Sequence, residues 1–259
     1  MTTRDTAPIG APCWTDLWTS DVDGSRKFYA ELFGWEAAEP SEEFGGYFMF
    51  LQNGVPVAGG MGAMGDMVPN NTWTVYMNTD DIARTVAAAK AKGATFSYDA
   101  MPVADLGFQT VLEDSNGAHL GLWQPGAFAG FTVLGEHGTP SWFELLARDY
   151  ADAVAFYRDV LKWKIDVISD TEEFRYAVMQ DPSSDAQLAG IGDASSMLAA
   201  GEAPYWSTYW HVDDVDKAAA TATSLGGTVD EAPQDTPYGR LATLRDPSGA
   251  RFKLRLGGS

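Results

Sequence analysis

The chain has 259 residues, 17 Lys and Arg against 36 Asp and Glu, a formal net charge of −19, and one cysteine. Two domains of ordinary size fit that length, and the acidic field argues against a nucleic-acid partner, because phosphate recognition needs clustered cations. The lone Cys13 excludes an intrachain disulfide framework and suits a reducing compartment. With no apolar leader and no run of about 18 apolar residues, a cytoplasmic chain without a membrane partner is expected.

The first predicted element is a strand over 14–19, where side chains alternate in character. Residues 25–33 place Phe28, Tyr29, Leu32 and Phe33 at helical spacing, and Gly34 suits the left-handed stop. Strands follow around 47–51 and 55–60. A second unit opens with a strand over 72–79 and a helix over 81–92, in which Ile82, Val86 and Ala89 share a face and which Gly93 stops. Its last strands, 109–112 and 119–123, flank the turn Asp114-Ser115-Asn116-Gly117.

Everything then recurs. Pro12-Cys13-Trp14-Thr15-Asp16-Leu17 is echoed by Pro140-Ser141-Trp142-Phe143-Glu144-Leu145, and Asp21, Phe28-Tyr29 and Trp35 return at identical spacing as Asp149, Phe156-Tyr157 and Trp163. The register then slips by a few residues: Trp73 and Asp80-Asp81 become Trp206 and Asp213-Asp214, and Asp114 and Gly117 become Asp246 and Gly249. The chain is a tandem duplication with a small insertion in its second copy. The predicted domains are 8–126 and 136–257, separated by a Pro/Gly-rich stretch.

Some signals carry less than they suggest. Gly60-Met61-Gly62-Ala63-Met64-Gly65 matches a dinucleotide-binding string, but Asp66-Met67-Val68-Pro69 opens no helix to receive a pyrophosphate; it reads as a Met-rich loop able to cover a site. Asn70-Asn71-Thr72 matches a glycosylation sequon, which without a leader reads as chance. Cys13 points away from the face of Trp14 and has no neighbouring base, which argues against a nucleophile. Phe28-Tyr29 and Phe156-Tyr157 read as anchors of helix to sheet.

The motif D-x-x-x-S-x-x-F-Y-x-x-x-F-G-W over 21–35, its echo over 149–163, Val212-Asp213-Asp214-Val215-Asp216 and Asp246-Pro247-Ser248-Gly249 give the chain a family resemblance. It resembles the vicinal oxygen chelate superfamily of glyoxalase I, bleomycin-resistance proteins and extradiol dioxygenases, and in pattern its two-domain actinobacterial members. The resemblance implies an α+β fold: four βαβββ modules forming two cup-shaped mixed sheets with helices on the outer face. It also implies where a divalent ion would be held, by His, Gln or Glu on the first and last strands of modules. Those positions fall on Trp14, Trp142, Thr74, Ser207, Gly121 and Lys253, and the segment 54–65 holds no Asp, Glu or His. Several imidazoles or carboxylates must converge on such an ion, so neither a metal nor another cofactor is expected; a relocated ion on Asp16, His119 or His211 is the alternative.

Strand alternation then assigns faces. If Trp14 points as the family's ligand does, cup one gathers Trp14, Asp16, Trp18, Thr74, Tyr76, His119 and Trp123, an aromatic box with one carboxylate, while Leu17, Leu120 and Leu122 face the helices. Cup two gathers Trp142, Glu144, Tyr209, His211, Arg251 and Lys253; the resemblance implies that the strands of Glu144 and Lys253 meet across the cup, so these two are expected to form an ion pair where an ion would otherwise sit. The leading function is metal-free binding of a small planar, cationic molecule, similar to drug sequestration by bleomycin-resistance members. The alternatives are a glyoxalase- or dioxygenase-like enzyme acting on a small aromatic or carbonyl substrate, with Asp16, Glu144 or His211 moving protons, and a structural module whose cups are filled by their own side chains. The expected partner is a small molecule, with a homodimer left open.

Overall fold

Each of the four helices found among the described residues starts on an aspartate. The side chains of Asp21, Asp81, Asp149 and Asp214 accept the backbone N–H of Gly24, Arg84, Asp152 and Lys217, respectively; each bond satisfies a donor that the helix itself leaves unpaired. Gly34 closes the first helix at φ 76°, a left-handed conformation that costs glycine little.

The computed structural model describes residues 2–257. A short strand β1 (Thr2–Thr3) precedes the first copy, which comprises β2 (Pro12–Trp18), α1 (Val22–Phe33), β3 (Glu36–Ala37), β4 (Phe48–Gln52) and β5 (Val55–Met61), then β6 (Thr72–Asn78), α2 (Ile82–Ala91), β7 (Thr95–Phe96), β8 (Met101–Val103), β9 (Gly107–Glu113) and β10 (His119–Pro125). After β11 (Val133–Leu134), which pairs with β1, the second copy runs β12 (Pro140–Ala147), α3 (Tyr150–Val160), β13 (Lys164–Asp170), β14 (Arg175–Gln180) and β15 (Gln187–Asp193), then β16 (Tyr205–His211), α4 (Val215–Ser224), β17 (Thr228–Thr236), β18 (Gly239–Arg245) and β19 (Arg251–Gly257). The described residues form an α+β fold, four helices over mixed sheets.

Both sheets have the same centre. In the first, β2 lies between parallel β5 and antiparallel β6, and β6 continues to parallel β10 and then to β9. In the second, β12 lies between parallel β15 and antiparallel β16, and β16 continues to parallel β19, β18 and β17. A single parallel bridge, His119 to Tyr205, joins the two sheets. Among the described residues no helix is long and apolar enough to cross a membrane.

The aromatic pairs read as anchors of helix to sheet also bind one copy to the other. The hydroxyl of Tyr29 on α1 accepts from Trp73 Nε1 (3.0 Å) and donates to Asp246 Oδ2 (3.1 Å) in the turn before β19, while Phe28, Tyr29 and Phe33 pack on Phe252. Reciprocally, Tyr157 on α3 accepts from Trp206 Nε1 (2.7 Å) and donates to Asp114 Oδ2 (3.0 Å) in the turn before β10. Trp35 Nε1 donates to Gly138 O and Trp163 Nε1 to Gly10 O, so each copy also fastens the segment leading into the other's first strand. Because these polar atoms are buried, losing a partner carries a desolvation cost and the junction tolerates little drift. The pairing leaves the opposite face of each sheet for the cups.

Two unequal cups as the candidate ligand site

A break in register between Pro12 and Trp14, repeated between Pro140 and Trp142, lies next to each expected indole. Such irregularities re-aim the side chain beside them. Trp14 Nε1 donates to the hydroxyl of Tyr47 (2.8 Å), and Trp142 Nε1 to that of Tyr176 (3.0 Å). Where the resemblance places a first-strand metal ligand, both copies therefore hold an indole tied to a phenol. The tyrosines cross the sheet over Gly59 and Gly190, where any side chain would collide with their hydroxyls.

In cup one, β2 and β6 set Trp14 opposite Tyr76 and Asp16 opposite Thr74. Asp16 is 7% exposed, and no basic side chain pairs with it among the described residues. Burial pushes its carboxyl up to about 7, against the opposing influence of the nearby Tyr76 hydroxyl. Tyr47, Tyr76 and Tyr98 are themselves shifted upward, first by burial and then by the charge on Asp16, so they stay neutral hydroxyls around it. Cys13 faces the other way, with Sγ directed to Tyr76 O, and burial pushes its thiol up to about 12, an inert state.

The aromatic box is not open. Phe128, in the linker after β10, packs edge-on against Trp14 (4.8 Å between centroids) and against Trp123 (6.1 Å), and its carbonyl accepts from Trp123 Nε1 (2.8 Å). Trp18 is half-buried and donates to Gly62 O (2.9 Å), so it fastens the loop that follows β5 instead of lining the charge site. In that loop Met64 and Met67 bridge one another and remain exposed. His119 departs from the expected grouping as well: it stands at the junction of the sheets, its charged neighbour is Glu113, and burial lowers its pKa.

Cup two repeats the carboxylate and phenols and adds a cation. Glu144 Oε1 accepts from Tyr176 OH (2.9 Å), and Oε2 accepts from Tyr209 OH (2.6 Å) and Lys253 Nζ (3.1 Å). The ammonium also donates to Tyr209 OH (3.0 Å) and lies 4.9 Å from the centre of that ring. The expected ion pair is thus present, with both carboxylate oxygens and two of the ammonium's three donors engaged, close to the condition under which a buried pair is tolerated. Arg251 turns instead to Glu202 and Asp230. His211 lies at a strand end beside His137, Asp213 and Arg255, and its pKa is lowered first by burial; it is not a neighbour of Glu144.

Sequence reasoning missed Tyr47, Tyr98, Tyr176 and Phe128, and also the stack at cup two formed by Phe174 on Tyr176 (5.6 Å) and Tyr176 on Tyr238 (6.4 Å). The available signal was the echo of Tyr47 by Tyr176 between the two fixed stretches of the repeat. No three His, Cys, Asp or Glu side chains gather among the described residues. The donors present do not suit the family's divalent ion: cup one offers one carboxylate among phenols and indoles, and in cup two an ammonium already neutralises the carboxylate.

A family model described as the Glyoxalase/Bleomycin resistance protein/Dioxygenase superfamily matches residues 13–122 and 139–254. CFP32 of Mycobacterium tuberculosis, which carries the name glyoxylase, is 34% identical over 254 residues, covering 95% of this chain and 94% of that protein. The anthracycline biosynthesis protein DauV of Streptomyces sp. (strain C5) is 34% identical over 262 residues, covering 95% and 92%. Among solved structures, the 2,3-dioxygenase LapB from Pseudomonas sp. KL28 superposes with a TM-score of 0.65 at 14% identity over 98% of this chain and 94% of that one. The Mn(II)-bound glyoxalase from Novosphingobium aromaticivorans gives 0.65 at 17% identity over 96% and 83%. At those identities the structural likeness concerns the fold alone.

Proposed function

The chain belongs to the Glyoxalase/Bleomycin resistance protein/Dioxygenase superfamily, and from that membership we propose that it binds a small, planar, positively charged molecule in cup one without a resident metal ion. The observation that carries this reading is Asp16, a carboxylate buried among three tyrosines and an indole with no cation of its own. A fold does not need such a group for its stability, since charge buried without a partner is destabilising. A cationic guest supplies the missing charge, and flat rings gain about 0.5–2 kcal/mol per cation–π or stacking contact in such surroundings. The name of DauV adds support, because anthracyclines are fused planar aromatics. Binding displaces Phe128 from the two indoles.

Tryptophan fluorescence titrations with planar cations and their neutral isosteres test the proposal. Saturable quenching by the cations, weakened in Asp16→Asn, is the expected result; no quenching by any planar compound, or quenching indifferent to charge and to that substitution, refutes it. Metal analysis of protein purified without chelators completes the test, since a stoichiometric ion lost on replacing Asp16 overturns the metal-free reading.

One observation favours an enzyme instead: a carboxyl near 7 beside a neutral phenol is matched to proton transfer at physiological pH. That reading predicts turnover of a small aromatic or carbonyl compound that Asp16→Asn abolishes while binding of the neutral substrate persists.

A further inference from the structure

The duplication lets one cup serve as a template for the other. Trp14 and Trp142, Tyr47 and Tyr176, Gly59 and Gly190, Asp16 and Glu144, and Tyr76 and Tyr209 occupy matching places in the two copies. The last strand holds the discordant pair: Gly121 is the register partner of Tyr76, and Lys253 is the register partner of Tyr209. Lys253 brings a primary ammonium to a carboxylate oxygen and a phenol oxygen, 3.1 and 3.0 Å away, and over the face of the same phenol. Cup two is therefore a filled example of an alkylammonium site, with the alkyl chain supplied by the protein.

In cup one the carboxylate and the phenol remain and the ammonium is gone. The ring of Tyr76 lies against Gly121 where a side chain would begin, so nothing from β10 can reach Asp16. Asp is also one methylene shorter than Glu, so its carboxylate stands closer to its own strand. We infer that cup one is a receptor for a primary ammonium carried by a small molecule, which takes the place that Lys253 holds in cup two. The inference rests on the reading of cup one as a ligand site and sharpens it: the guest needs N–H donors for both the carboxylate and the phenol, so a quaternary ammonium of equal charge is a poor substitute. The chain's net charge of −19 favours the approach of such a cation.

Isothermal titration of the full chain at pH 8 with benzylammonium, benzyltrimethylammonium and benzyl alcohol separates the possibilities. The expected result is one equivalent of benzylammonium bound, with the quaternary ion and the alcohol weaker by a factor on the order of 10 to 100. Asp16→Asn reduces benzylammonium to the level of the alcohol. Affinity for benzylammonium rises about tenfold from pH 6 to pH 8 as Asp16 loses its proton, while the ligand's own charge is constant. Equal, Asp16-dependent binding of the primary and quaternary ions overturns this inference and leaves the planar-cation reading standing. Failure of all three probes, and of larger planar cations, overturns both.

Discussion

Cup one and cup two present the same carboxylate, tyrosine and indole on the same strands and differ in whether the negative charge is answered. In cup two Lys253 answers it, two tyrosines complete the hydrogen bonding, and Glu144 and Lys253 are 9% and 8% exposed. In cup one Asp16 is as deeply buried and has only neutral neighbours. The contrast separates two uses of one fold, because a satisfied buried pair holds a sheet together, whereas an unanswered charge stores an unfavourable energy that a ligand can relieve. The same contrast fits the structural-module reading to the second copy and the ligand-binding reading to the first.

The strongest way to break the comparison is to remove the answering charge. Lys253→Met keeps the length of the stem and leaves Glu144 buried with phenols alone; a loss of about 3–5 kcal/mol in urea unfolding is expected. Asp16→Asn should do the opposite at pH 8. The Asp16 carboxyl is raised from 3.8 to about 7 in the folded chain, so folding favours its protonated form. The wild type is then most stable below the ordinary carboxylate range, loses stability as pH rises from about 4 to about 7, and is level above that. At about 1.4 kcal/mol per unit, asparagine recovers about 2–4 kcal/mol at pH 8, after allowance for a weaker bond to Tyr76, and little at pH 4. If both variants destabilise the chain equally at pH 8, the two cups are the same kind of structure and the contrast fails.

Where the copies agree, variants should agree too. Tyr29→Phe and Tyr157→Phe each leave a buried indole N–H and a buried carboxylate short of a partner, so each should cost about 1–3 kcal/mol, with similar values for the two. This reciprocity was only half legible in the amino-acid sequence. The repeat gave the strands, the aspartates ahead of the helices and the Phe-Tyr pairs, alternation along strands put Asp16 and Tyr76 on one face, and the family resemblance brought Glu144 to Lys253. It could not say that the tyrosine hydroxyls cross to the other copy, because spacing within a helix carries no information about which turn packs on it. Nor could it find Tyr98 and Phe128, which reach the cup from outside regular strands, where no period applies, and Tyr47 was marked only by its echo in Tyr176. His119 and His211 failed for a related reason: they share a face with cup residues but stand at strand ends, where the neighbours are Glu113 in one case and His137 and Asp213 in the other.

Phe128 supplies the smallest and most discriminating prediction. Its ring is half-buried, so Phe128→Ala should cost about 1–2 kcal/mol, less than truncating a core phenylalanine. The same change removes the group that a guest has to push off Trp14 and Trp123, and benzylammonium affinity should rise a few-fold because the displacement no longer opposes binding. Asp16→Asn added to Phe128→Ala should erase that gain, since stacking surface without the charge holds the amine poorly. Stability that falls with affinity unchanged would mean that the ring is ordinary packing and that any guest reaches Asp16 by another route. A gain in affinity that survives Asp16→Asn would assign the binding to the indoles, and the two cups would then differ in access before they differ in charge.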